Sequence, residues 1–175
     1  LRLITRNRIS LATVMPISYR ERIKQVPGVK EAMVSQWFGG LYKEPRFMFA
    51  RFAVEPEKLF KIDSEFRMPA DQQAAFVRER SACIVGRKLA NRFNFKIGDR
   101  ITLVGDIFPG NYEFTVRGIY DSKENNENLY FNLEYLFQSL PAGRRDFAGT
   151  IMTLADSPDN VPRIAQQIDD MFRNA

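Results

Sequence analysis

Histidine is absent from this 175-residue chain and cysteine occurs once, which removes much of the usual enzyme repertoire. Without histidine there is no Ser-His-Asp or Cys-His nucleophile, no His-ligated zinc, and no side chain that titrates near neutral pH in its ordinary state. A lone Cys83 excludes an internal disulfide and every Cys-rich metal or redox motif. It sits in the apolar run Ala82-Cys83-Ile84-Val85-Gly86, which predicts a buried small hydrophobe. No stretch approaches the roughly 20 apolar residues that cross a bilayer. Arg2, Arg6 and Arg8 break up the opening stretch, so it does not read as a secretory signal. The chain also begins without Met and reads as a piece of a longer one.

Carboxylates are the remaining catalytic candidates. The nearest pairs are Asp169 with Asp170 and Glu124 with Glu127, and both fall on segments that read as solvated faces. Gly86-Arg87-Lys88 lacks the rest of a Walker pattern and reads as a strand-to-helix turn. No enzyme activity, cofactor or metal is expected. The pI near 9.5 raises nucleic acid as a partner, but the excess of basic residues is local. Residues 1–81 carry 15 Lys and Arg against 9 Asp and Glu, whereas residues 82–140 carry 7 of each. No nucleic-acid-binding motif is present, and nucleic acid is not expected.

Hydrophobic residues make up 45% of the chain and charged residues 27%, enough apolar content for a packed core, and Phe occurs 15 times. The pattern over residues 2–14 predicts one strand or two short ones, ended by Pro16. Ser18-Tyr19-Arg20-Glu21 predicts a capping box opening a helix to Gln25, and Val29–Phe38 predicts a second strand. After Gly39-Gly40, residues 47–54 predict a strand apolar on both faces, interior to a sheet. A helical turn from Pro56 and a helix over 71–80 with Ala74, Ala75 and Phe76 inward come next. A brief strand at Ile84-Val85, a helix over 87–93 and a strand over 100–104 then lead into a turn-rich connection, 105–111. The strand 112–120 is predicted to place Tyr112, Phe114, Val116 and Gly118 on one face. Residues 130–140 read as strand then helix, closed by Pro141 and Gly143, and 148–154 as a last strand. Capped by Asp159 or Asn160, a final helix sets Val161, Ile164, Ala165, Ile168, Met171 and Phe172 on one face. The class is α+β, a mixed sheet-and-helix part interrupted by a β-rich insertion.

The run from Ile84 to Leu103, IVGRKLANRFNFKIGDRITL, resembles a segment of the periplasmic core domains of MacB-, FtsX- and LolC/LolE-type ABC-transporter permeases. Phe114 to Tyr120 and Val26-Pro27-Gly28-Val29 extend the likeness over residues 26–120. The resemblance implies a porter-like α/β part, residues 1–81 and 141–175, with a sabre-like β-rich part, 82–140, inserted into it. It also implies an extracytoplasmic domain of an inner-membrane permease, carried by flanking helices outside this chain. Such a domain would relay movement driven by a cytoplasmic ATPase subunit to a partner or substrate outside the membrane, in export, efflux or lipoprotein release. A periplasmic adaptor or carrier protein is a further implied partner. The alternative is a free-standing periplasmic module binding a small molecule or peptide. Arg2, Arg6 and Arg8 would lie near the membrane and could touch anionic headgroups.

Two stretches are candidate contact surfaces. Trp37, Phe38 and Tyr42 gather aromatics beside Gly39-Gly40 and Arg46. Ile107, Phe108 and Pro109 form an apolar tip on the connection that follows residue 104.

Overall fold

The computed structural model describes residues 2–5, 8–11, 15–141 and 147–173. The chain runs β1 (Arg2–Thr5), β2 (Arg8–Leu11), β3 (Met15–Pro16), α1 (Ser18–Lys24), β4 (Val29–Trp37), β5 (Arg51–Val54), α2 (Pro56–Ile62), α3 (Ala70–Arg78) and β6 (Ala82–Gly86). It continues as α4 (Arg87–Phe93), β7 (Arg100–Val104), β8 (Asn111–Tyr120), β9 (Leu129–Asn132), α5 (Leu133–Gln138), β10 (Phe147–Ala148), β11 (Ile151–Ala155) and α6 (Val161–Arg173). Of the predicted opening stretch, residues 6–7 and 12–14 lie outside the described residues, as does Gly143.

Nine strands form one mixed sheet in the order β1-β2-β11-β4-β5-β9-β6-β8-β7, and β3 and β10 pair separately. The long strand β4 is the hinge of the arrangement. Its first residues pair with β11 and its last three with β5. Beyond it the sheet curls, because Leu41, just past β4, pairs with Val104 at the end of β7. The strands β4-β5-β9-β6-β8-β7 thereby close on themselves like a small barrel, which hides their edges.

Alternation along the strands assigns three cores. Val34, Ala53, Cys83, Val85, Ile101, Leu103, Phe114 and Phe131 point into the barrel, plugged by Leu89 of α4 and Leu136 of α5. Along the same face, Ile9, Ala32 and Ile151 meet Ile23 of α1 and Val161, Ile164, Ala165 and Ile168 of α6, as the spacing in the last helix predicts. The opposite face packs Met33, Val54, Ile84 and Tyr130 under Leu59 and Ile62 of α2 and Phe76 of α3. β5 is interior to the sheet, as its two-sided apolar pattern predicts.

Several local expectations are corrected. Chain reversal is already helical at Ile17, which takes the N-cap position without a side-chain bond, so Ser18 lies inside the first turn and forms no capping box. Glu21 pairs instead with Arg20 at 3.1 Å. Residues 47–50 are not strand, because Phe47 and Phe49 turn away to pack on Phe93. Ala74 faces solvent while Phe76 is buried. Gly118 does not share a face with Val116. A bulge between the pairs Cys83–Val116 and Ile84–Gly118 rotates β8, so Gly118 abuts Met68 and Ile84 on the far side.

Thr153 on β11 is fully buried, and its hydroxyl has no hydrogen-bond partner among the described residues. A Thr153→Val variant keeps the β-branched shape and removes that desolvated group. Thermal unfolding followed by circular dichroism is expected to show a gain of about 1 kcal/mol, or roughly 2–4 °C in Tm. An unchanged or lower midpoint would mean the hydroxyl is satisfied.

Candidate contact surface

Gly39 and Gly40 adopt φ of +71° and +77°, a left-handed corner that carries the chain off β4 and across the barrel mouth. There Leu41 and Val104 exchange both backbone hydrogen bonds, at 2.8 and 2.9 Å. The two aromatic stretches, about 60 residues apart in sequence, become one region. A Cβ placed on Gly39 would lie 3.0 Å from Asp106 and 3.3 Å from the Trp37 indole nitrogen, so the 105–110 connection and Trp37 flank the same corner.

The six candidate residues divide by burial. Phe38 and Phe108 are buried and stack on each other with centroids 6.0 Å apart, and Phe38 also meets Tyr112 and Phe131 edge-on at 4.9 and 5.3 Å. Tyr42 is buried among Phe47, Phe49, Phe93 and Phe95. These three rings make core, because the barrel needs a lid more than its apolar tips need a partner. Trp37 (39% exposed), Arg46 and Pro109 remain on the surface. Val104 and Ile107 join them as exposed apolar side chains at 45% and 56%. Arg46 lies over the Phe47 ring at 4.9 Å and pairs with Glu44 at 2.6 Å.

Arg51 is the residue that sequence reasoning missed. It begins an apolar strand and is 1% exposed, held by two main-chain carbonyls: Nε donates to Phe49 at 3.0 Å and Nη1 to Gly39 at 2.8 Å. Its guanidinium lies 4.4 Å from the centre of the Phe49 ring. Burial pulls its pKa below the ordinary value while the Asp106 charge opposes that, and arginine keeps its proton regardless. Arg51 thus ties both ends of the 39–50 loop to β5. An Arg inside the Phe-rich run of residues 47–52 is the available signal.

The other singled-out groups serve structure. Cys83 is buried, and burial alone pushes its thiol pKa far up, so it is inert. Glu127 pairs with Lys88 at 2.6 Å and Asp170 with Arg173. Arg8 is drawn inward to Asp63, Glu65 and Glu124, not outward to headgroups. The side chains of Arg2 and Arg6 are outside the described residues. Among the described residues no cluster of His, Cys, Asp or Glu is placed to hold a metal ion.

The motif glycine Gly86 explains the run that follows it. Asn126, from the loop after β8, caps α4: its carbonyl accepts from Lys88 and Leu89 at 3.1 and 3.3 Å and its side chain from Arg87 at 2.8 Å. A Cβ on Gly86 would stand 2.1 Å from that carbonyl oxygen. Further on, Gly98 has φ of +96°, the turn expected ahead of β7.

The sequence matches the MacB-like periplasmic core domain family over residues 4–171. The chain belongs to that family. It is therefore the periplasmic domain of a MacB-like ABC-transporter permease. The fold of this MacB-like domain is similar to the periplasmic region of MacB from Actinobacillus actinomycetemcomitans, with a TM-score of 0.65 and 10% identity over 96% of this chain and 83% of that one. It is also similar to the extracellular domain of the noncanonic ABC-type transporter YknZ from Gram-positive bacteria, with a TM-score of 0.64 and 13% identity over 93% of this chain and 92% of that one. No curated protein sequence matches the MacB-like domain significantly. Among its described residues no helix is long and apolar enough to cross a membrane.

Proposed function

We propose that this domain is the non-catalytic, extracytoplasmic part of an inner-membrane permease and relays ATP-driven movement to a partner or substrate outside the membrane. The family match over residues 4–171 carries the reading. The architecture supports it: one hydrogen-bonded sheet runs from β1, β2 and β11, with α6 packed on them, to the strands that frame the Trp37 region. Displacement at one part of such a sheet is transmitted through paired backbone rather than through flexible linkers. The four strands drawn from residues 82–140 lie side by side at one end, which supports a sabre-like unit there with residues 1–81 and 141–175 as the porter-like unit. The ATPase partner would act on the parent permease from the cytoplasm, through membrane helices flanking this chain. A periplasmic adaptor or carrier protein would take the relayed motion.

The contact face for that partner is proposed to be Trp37, Val104, Ile107 and Pro109, with the exposed Arg46 of the 39–50 loop as a further contact. In the intact permease, a Trp37→Ala, Ile107→Ser double variant is expected to weaken partner capture about tenfold or more and to lower transport. Its melting temperature should fall modestly, since Ile107 is 56% exposed and the main packing lost is the Trp37 edge contact with Phe52. Unchanged capture and transport would overturn the assignment of this face. A parent reading frame lacking an apolar stretch of about 20 residues on either side would overturn the permease reading itself.

A further inference from the structure

A separate cavity of about 450 Å³ sits where α1, α2 and α5 meet, but of its three carboxylates Glu55 is already paired with Arg20 and Lys58, while Glu57 and Glu134 lie in the first turns of α2 and α5. The cavity between the 39–50 loop and α4 is different in kind. It has a volume of about 370 Å³ and is lined by Met48, Phe49, Leu89, Lys88, Arg92 and Glu127, with Ala50 and Asn128 completing the wall. That volume is within the range of small-molecule sites, roughly 300–1,000 Å³.

Its floor is apolar, formed by the buried Phe49 and Leu89. Met48 stands at the mouth, 55% exposed, an adaptable side chain in an otherwise open position. Lys88 and Arg92 are one helical turn apart on α4, so both reach the same rim. Arg92 gives one N–H to the Met48 carbonyl at 2.9 Å and forms no ion pair among the described residues. Lys88 is held by Glu127, but both partners are exposed, and such a pair is worth little.

An independent feature lies behind the floor. Arg51 is a fully buried cation with no carboxylate in ion-pair contact among the described residues. Its guanidinium lies against the Phe49 ring, and Nη2 stands 3.8 Å from the Met48 sulfur, so it borders two of the lining residues. Asp106 offsets that charge only at a distance, so the guanidinium still raises the positive potential of the adjoining low-dielectric space. Lys88 and Arg92 thus stand with Glu127 at the rim of an apolar hollow, and Arg51, acted on by Asp106, lies behind its floor.

We propose that this cavity is a binding site for a small amphiphilic anion, an apolar chain or ring ending in a carboxylate or phosphate, its tail on Phe49, Leu89 and Met48 and its head on Arg92 and Lys88. The site is independent of the contact face around Trp37. It also places a ligand against the loop that Arg51 ties down, so occupancy would brace that loop.

The test is calorimetric titration of the chain with decanoate below its micellar concentration, with decyl maltoside as the neutral-headed control. One decanoate is expected to bind, about tenfold more weakly to Arg92→Gln and more tightly to Glu127→Gln, which loses the competing carboxylate. Both substitutions are on exposed side chains, and an unchanged melting temperature establishes that they fold. A decyl phosphate arm showing the same Arg92 dependence extends the site to phosphate heads, and a dead phosphate arm beside a live decanoate arm restricts it to carboxylates and overturns the phosphate half. Absence of decanoate binding, equal binding of decyl maltoside, or indifference to Arg92→Gln overturns the proposal.

Discussion

An Arg51→Ala variant is expected to melt roughly 10 °C below the parent chain. The loss follows from what the guanidinium does in place. It satisfies the carbonyls of Phe49 and Gly39, covers one face of the Phe49 ring, and does so at 1% exposure. Alanine leaves two inward-facing carbonyls without that donor and a cavity under the 39–50 loop. Leaving a buried polar group without its partner costs about 1–3 kcal/mol, and two carbonyls lose one here. For a chain of this size each kcal/mol moves the midpoint by about 2–4 °C. Arg51→Met separates the contributions, since it keeps most of the volume and drops the donors. It is expected to recover part of the loss, with amides of residues 39–50 exchanging faster than in the parent. A Met variant as stable as the parent would show that bulk, not hydrogen bonding, holds the loop.

The second large effect is expected at Gly86. Substituting alanine there forces a Cβ to within 2.1 Å of the Asn126 carbonyl oxygen and 2.3 Å of its carbonyl carbon. These are main-chain atoms, so no side chain can swing aside, and either α4 or the 121–128 loop must move. Overpacking of this kind costs about 3 kcal/mol. It also disconnects the cap that Asn126 supplies to Arg87, Lys88 and Leu89. Thermal unfolding should fall by roughly 6–12 °C, and the Lys88 and Leu89 amides should lose protection in hydrogen exchange. Gly98→Ala is the contrast within the same motif. A Cβ there meets nothing within 4 Å, and only the φ of +96° resists it. That variant should lose about 1–2 kcal/mol, less than Gly86→Ala. Equal losses at the two positions would mean that the close approach of Asn126 is not what requires glycine at 86.

These two positions also divide what local pattern could and could not report. Alternation in β7 and the helical spacing of Val161, Ile164, Ala165 and Ile168 are local signals, and the fold uses them as they stand. The run from Ile84 to Leu103 carries enough of a family's spacing to place the chain in its class from sequence alone. The capping box at Ser18 failed because a cap depends on where the preceding strand ends, and β3 ends one residue before the helical turn begins. Gly118 lies on the face opposite the one its spacing predicts, because a bulge changes a strand's facing while every other residue stays buried.

The candidate surface shows the same boundary. Trp37, Phe38, Tyr42 and Phe108 stood out by composition, yet nothing local distinguishes an aromatic that lids a barrel from one that faces a partner. The Leu41–Val104 pairing decided that, sending Phe38, Tyr42 and Phe108 inward and leaving Trp37 and Ile107 outside. Sequence alone determined the fold class, the amphipathic last helix, the lack of histidine and cysteine chemistry, and the turn glycine at Gly98. Tertiary structure decided the closure of the sheet, the burial of Arg51, the reason for glycine at 86 and the cavity beside α4. Each of these depends on atoms from segments distant in the chain, and a residue's letter is the same whether its charge is solvated or held in the core.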